Sequence, residues 1–246
     1  MASPETKSSA SVVAEATPAC WSCGTMRAEH FCHACGKVQP PVPVDYFRFF
    51  GFPRKLNVDL AVLEREFYDL SRKLHPDLYA RADAREQEWS LEQSSLLNDA
   101  YRTLKDPVRR TQYLLRLEGV ELEEQSKTAT EKARATGEIK KQVVPPDLLE
   151  EVFELNMQLE ELRGQKKMGE DDPALIEEIG KQKLELEQKQ ETLLEELRRD
   201  WNEWDKAADS GSEAERLAVR DKMVDLLNRR NYIRNLVRDV NEVLEN

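Results

Sequence analysis

The sequence predicts a mainly α protein: a small N-terminal metal-knuckle module, then a four-helix segment, then a C-terminal three-helix bundle. Three observations predict it. Only nine of the 246 residues are glycine, while 35% are charged and 39% hydrophobic. That balance suits helical modules with narrow apolar stripes better than a sheet fold. All four cysteines fall within sixteen residues, as two Cys-x2-Cys pairs. In two long segments beyond them, apolar side chains recur at steps of three and four, the helical period.

The net charge of −11 argues against a general affinity for nucleic acid or an anionic membrane surface. Any basic function must be a local patch. No apolar run approaches the roughly 20 residues that span a bilayer. Residues 1–19 lack a charged region followed by an apolar core, and they include Glu5 and Glu15. They are expected to be a disordered tail on a cytoplasmic protein; a processed mitochondrial form is the alternative.

Residues 20–37 form the first module. Cys20 and Cys23 make one pair and Cys32 and Cys35 the other, each followed by glycine, Gly24 and Gly36. Two intervening residues let both sulfurs of a pair face one ion. The glycine permits the tight left-handed turn that points amides at sulfur. Four thiolates complete a tetrahedron, so a closed, structural zinc site is expected. Iron or an iron–sulfur cluster is the rival, since four-cysteine sets bind those too. Two redox disulfides are disfavoured by the cytoplasmic reading. His30 and His33 are expected to be ordinary exposed residues. So short a module could not fold on apolar burial alone.

Residues 38–44, "VQPPVPV", read as a stiff linker. Residues 45–119 then carry helix signals. Asp45 can cap a short helix that Gly51 and Pro53 end. A second helix follows Asp59, with Leu60, Leu63, Phe67, Leu70 and Leu74 as its stripe; Arg65, Arg72 and Lys73 stand on other faces. Pro76 stops it. A third runs from about Arg85 to Leu104, with Trp89, Leu96, Leu97, Ala100, Tyr101 and Leu104 expected on its buried side. Asp106-Pro107 opens a fourth, which ends at Gly119. The short connection between the second and third makes them antiparallel.

His75-Pro76-Asp77 sits in that connection. With "DYFRFFGFP", "LHPDLY", "LLNDAYRTLKDP" and "RRTQYLLRLEG" around it, the segment resembles a J-domain, the module of the DnaJ co-chaperones, and more closely the HscB branch. Leu78 stands where general J-domains usually carry lysine, and Tyr113 to Gly119 replaces their basic fourth-helix motif. The chain resembles forms of HscB with an added four-cysteine module over nearly its whole length. The resemblance implies that His75, Pro76 and Asp77, with Arg65, Arg72 and Lys73, contact a DnaK-type, HscA-like ATPase chaperone. A catalytic His75–Asp77 pair lacks an orienting third group and a nucleophile, so an enzyme is not expected.

Residues 120–146 read as a flexible linker. Residues 147–246 carry three helices, from about 147 to 163, from about Pro173 to Ala208, and from Ser212 onward. Ser212 with Glu215 forms a capping box. On the first, Leu148, Val152, Leu155, Leu159 and Leu162 share one arc. Leu149, Phe153 and Met157 form a second stripe a third of a turn away. Leu175, Ile179, Leu186, Leu193, Leu197, Trp201 and Trp204 are expected to keep one face of the second helix. Leu217, Met223, Leu227, Tyr232, Leu236, Val240 and Val243 carry the third at helical spacing to the end of the sequence. The resemblance implies that the bundle binds IscU, the iron–sulfur scaffold, through Leu149, Phe153, Met157 and Tyr232. The expectation is therefore a co-chaperone for iron–sulfur cluster biogenesis. Its rivals are a general J-protein for unfolded clients and a zinc-stabilised coiled-coil scaffold without chaperone activity.

Overall fold

The structure is a computed structural model that describes residues 19–25, 30–120, 145–170 and 172–245. Nearly all of the expected tail and of the expected 120–146 linker lies outside the described residues. Among the described residues the regular structure is helical, apart from isolated bridges such as that between Phe31 and Val38. Packing divides the chain into two compact units. One holds the described residues up to Gly51 together with Ala61–Tyr101. The other holds Phe52–Leu60 and the described residues from Arg102 onward.

The first unit contains the cysteine module, α1 (Tyr46–Phe49) and most of α2 (Leu60–Leu74) and α3 (Ala84–Lys105). Asp45 caps α1 as expected, its carboxylate accepting the Arg48 N–H at 3.0 Å. Gly51 leaves that helix at φ +70°, a conformation costly for other residues. Pro76 ends α2. His75 before it takes the extended backbone that a following proline imposes, with ψ 127°. The helices run antiparallel: the Phe67 and Tyr101 rings stack at 4.0 Å, and Ser90 and Ser94 reach the Leu74 carbonyl.

The stripes of α2 and α3 differ from expectation in two places. Leu60 is exposed, because it opens α2 and no preceding turn covers it. On α3 the buried line is Glu86, Ser90, Gln93, Leu97, Ala100 and Leu104, while Trp89, Leu96 and Tyr101 are only half-buried. Three polar side chains thus hold places that an apolar search passes over. Val38 and Gln39, in the stretch expected to be a linker, are fully buried.

The second unit contains α4 (Pro107–Leu117), α5 (Leu149–Met168), α6 (Pro173–Ser210) and α7 (Glu213–Glu245). Asp172 caps α6 through the Ala174 and Leu175 amides, and the Ser212 hydroxyl accepts the Glu215 amide at the start of α7. Gly169 and Gly211, both left-handed, let α5, α6 and α7 fold back on one another. At 1.5 Å per residue α6 is about 57 Å long. Leu155, Leu159, Leu162, Ile179, Ile233 and Val240 form the centre of the bundle core. Leu217 is exposed, because Val219, two residues on and nearly opposite around the helix, takes the buried place.

Loop 52–60 and α4 are built into this unit by buried polar contacts. The Asp205 carboxylate accepts N–H bonds from Leu56 (2.8 Å), Asn57 (3.0 Å) and the Asn57 side chain (2.8 Å). The Trp201 indole donates to the Thr111 hydroxyl at 2.9 Å, and the Arg110 guanidinium lies 4.7 Å over its ring. No helix among the described residues is long and apolar enough to cross a membrane.

Candidate functional site

The cysteine module is built from two copies of one turn. In the first, the Gly24 amide donates to the Cys20 carbonyl and the Cys20 amide to the Thr25 carbonyl. In the second, Gly36 and Cys32 do the same with Cys32 and Lys37. Gly24 and Gly36 have φ +74° and +70°, as the reading of the Cys-x2-Cys-Gly repeats requires.

The two turns bring four sulfurs together. All lie within 4.8 Å of one another, with Cys20 to Cys35 at 3.7 Å and Cys23 to Cys32 at 3.5 Å. A tetrahedral ion with metal–sulfur bonds of about 2.3 Å needs sulfurs about 3.8 Å apart, so the set fits such an ion. Two of the sulfurs, those of Cys20 and Cys23, are prepared for negative charge. Burial opposes ionisation of Cys20, yet the Cys23 and Ser22 amides and neighbouring thiols bring it down to about 6. The Thr25 hydroxyl, 2.9 Å from Cys23, lowers that thiol as well. At Cys35 the Lys37 amide lowers the pKa, but burial and the other three cysteines push it up to about 11. Four thiolates this close repel one another, and a bound divalent cation removes that repulsion.

His30 is not the exposed residue expected. Its Nε2 donates to the Phe49 carbonyl at 2.9 Å, and its Nδ1 lies 2.9 Å from the Gln93 side-chain oxygen. Both ring nitrogens are therefore occupied away from the sulfurs. His33 is exposed as expected.

The His75-Pro76-Asp77 turn is a single 3-10 turn, Pro76–Tyr79. The side chains of His75 and Asp77 are 56% and 90% exposed. The Asp77 amide donates to His75 Nδ1 at 3.3 Å, so the neutral ring presents Nε2–H to the outside. Arg65 and Arg72 stand exposed, with acidic neighbours Glu66 and Asp69, and Lys73 is exposed beside them. Tyr68 and Leu78 are exposed as well. The apolar-stripe reading missed them, although Tyr68 falls on the Arg65–Arg72 side of α2 at helical spacing.

On α5, Leu149, Phe153 and Met157 are 58%, 68% and 59% exposed, pointing away from the buried Val152, Leu155 and Leu159. Tyr232, expected to join them, is 6% exposed and belongs to the bundle core. Burial raises its hydroxyl pKa. An aromatic at helical spacing with Leu236 served packing here.

These features define a class: a helical protein with a four-cysteine N-terminal module, an antiparallel helix pair joined by an exposed His-Pro-Asp turn, and a C-terminal three-helix bundle. Within that class the chain resembles the HscB co-chaperones. It is 40% identical over 113 residues to the iron–sulfur cluster co-chaperone protein HscB of Mus musculus, covering 44% of this chain and 48% of that protein. It is 33% identical over 148 residues to the Arabidopsis thaliana HscB homologue, covering 60% and 53%. The chain thus spans about half the length of these curated relatives. The crystal structure of human co-chaperone HscB superposes with a TM-score of 0.61 at 25% identity, over 92% of this chain and 98% of that one. Chaperone HscB from Vibrio cholerae gives 0.53 at 25%, over 82% and 98%. No protein-family model matches.

Proposed function

We propose that the chain is a co-chaperone for iron–sulfur cluster biogenesis. In this reading the α2–α3 turn stimulates ATP hydrolysis by a DnaK-type chaperone, and the C-terminal bundle delivers an IscU-type scaffold. The observation that carries it is the exposed His75-Pro76-Asp77 turn held between two antiparallel helices, in a chain similar to proteins named HscB. Proline fixes the turn, so an imidazole and a carboxylate are presented with little entropy left to lose on binding. Arg65, Arg72 and Lys73 supply positive charge for an acidic partner surface, and Asp77 can accept a charge-assisted bond from a partner cation.

The scaffold surface is Leu149, Phe153 and Met157. Three large apolar side chains exposed side by side mark an interaction site more often than they serve stability. The four-cysteine ion is zinc: the closed all-thiolate set suits a structural ion.

The test is steady-state ATP turnover by the host's DnaK-type chaperones, with this protein, with and without purified scaffold. Stimulation is expected, and His75→Gln should abolish it with helicity unchanged. Equal stimulation by the folded variant would overturn the reading.

A further inference from the structure

The buried side of α3 does two jobs at once. Glu86 and Gln93 hold the cysteine module: Lys37 pairs with the buried Glu86 carboxylate at 2.7 Å, and the Gln93 side-chain amide donates to the Gln39 carbonyl at 2.7 Å. Gln39 in turn aims its own amide at Cys20 Sγ, 3.4 Å away. Ser90 lies between those two anchors on the same side of the helix. Its hydroxyl and that of Ser94 both donate to the Leu74 carbonyl, at 2.7 and 2.8 Å. Leu74 is the last residue of α2, immediately before His75.

We infer that the four-cysteine module is a brace for the His75-Pro76-Asp77 turn, and that Gln93 is the positioning residue that links the two. This rests on the reading of that turn as the chaperone contact. The physical reason is the cost of unpaired buried polar groups. Glu86 and Gln93 are buried; their partners Lys37 and His30 come from the module, and Gln39 from the buried stretch directly after it. Without a bound ion the two knuckles lose the centre that joins them and keep their outer contacts, among them the Trp21 ring against Trp89 at 5.4 Å and its indole bond to the Val38 carbonyl; a metal module this short folds on metal binding. With the module gone, Glu86 and Gln93 must take water partners, so the first turns of α3 open to solvent. Ser90 and Ser94 lie in those turns. The end of α2 then loses two hydroxyl donors that fix its last carbonyl, and the turn moves more freely. Metal binding thereby sets how well the turn is presented to the chaperone.

Hydrogen exchange on the full-length protein tests this. The reporters are the Leu78, Ala80 and Ala82 amides, which bond to the His75, Asp77 and Tyr79 carbonyls. Zinc-loaded protein, chelator-treated protein and zinc-loaded Gln93→Leu are compared, with metal content measured on each. Stripped protein and Gln93→Leu should both exchange these amides about tenfold faster, the factor for losing about 1.4 kcal/mol of local stability. Bundle amides should be unchanged. Adding zinc back should restore the stripped protein but not Gln93→Leu, which still carries its ion. In the ATPase assay Gln93→Leu should raise the concentration needed for half-maximal stimulation more than it lowers the maximum. Wild-type exchange at the turn in zinc-loaded Gln93→Leu overturns the inference. Undiminished stimulation by His75→Gln overturns instead the reading of the turn as chaperone contact, and leaves the exchange result standing.

Discussion

Helices α3 and α5 each bury one face, but they bury different chemistry. The first half of α3 buries Glu86, Ser90 and Gln93, whereas α5 buries Val152, Leu155, Leu159 and Leu162. The difference follows from what each faces. α5 packs against two long helices that offer leucine and valine along their lengths, so burial of apolar area suffices. α3 faces a short cysteine module and the end of α2. These present backbone carbonyls at Gln39 and Leu74 and the side chains of Lys37 and His30, all of which need hydrogen-bond partners. One region is held by area, the other by a polar network beside a four-cysteine set that fits an ion.

The sharpest way to break this contrast is to remove the ion. Cys20→Ser deletes a buried ligand and should abolish metal binding. Structural zinc in small modules contributes about 10–16 kcal/mol of apparent binding free energy, so the knuckles should not survive. Elemental analysis and exchange at the Cys32 and Gly36 amides check it; retained protection in a metal-free variant would mean that the module is held by packing after all. The matching experiment in the other region is Leu162→Ala. That side chain is fully buried, and its truncation should cost about 2–5 kcal/mol by denaturant unfolding. Chelator should not alter this loss.

The same contrast explains what was legible in the sequence. Apolar periodicity located α2 to α7 to within a few residues, and the Cys-x2-Cys-Gly repeat located the sulfurs and the left-handed glycines. The polar interior was not legible. Glu86, Ser90 and Gln93 continue the Leu97–Ala100–Leu104 line at steps of three and four, but nothing in residue type separates a buried glutamine from a solvated one. Trp89 drew the reading off that line in the first half of the helix for that reason, while Leu97, Ala100 and Leu104 were placed correctly. Tyr232 failed differently: the position is aromatic, yet its ring fills the core. Asp205 was invisible, since its partners Leu56 and Asn57 lie about 150 residues away in sequence.

A smaller effect distinguishes packing from recognition on α5. Phe153→Ala removes a ring that is mostly exposed, so stability should change by no more than about 0.5 kcal/mol. Binding of an IscU-type scaffold should weaken by about 2 kcal/mol if the ring is an anchor. Calorimetric titration of the folded variant measures it; a large loss of stability, or wild-type affinity, would count against the surface. Tyr232 should be left intact in such variants, because its truncation would perturb the core.

The smallest predicted effect concerns Asp200, on the outward part of α6. Burial raises its pKa from the ordinary aspartate value. Lys222 acts against that shift, and Glu203 and Glu196 reinforce it. A carboxyl group with a raised pKa in the folded state binds a proton more readily there than in the unfolded chain. Folding stability therefore falls as pH rises from the unfolded pKa through the folded one, and the full penalty is present at neutral pH. Asp200→Asn removes the penalty and keeps the shape. At pH 7 it should stabilise the protein slightly, by about 0.5 kcal/mol or less, as expected for a position that solvent still reaches. Well below the unfolded pKa of about 3.9, at about pH 2–3, the advantage should vanish, because the carboxyl group is then protonated in both states. Added salt should shrink the part that comes from Glu196 and Glu203 and leave the part that comes from burial. Melting curves of the two proteins at pH 7 and at about pH 2–3, at low and high salt, separate these contributions. A variant less stable at neutral pH would show that Asp200 is held by Lys222 rather than penalised by its surroundings.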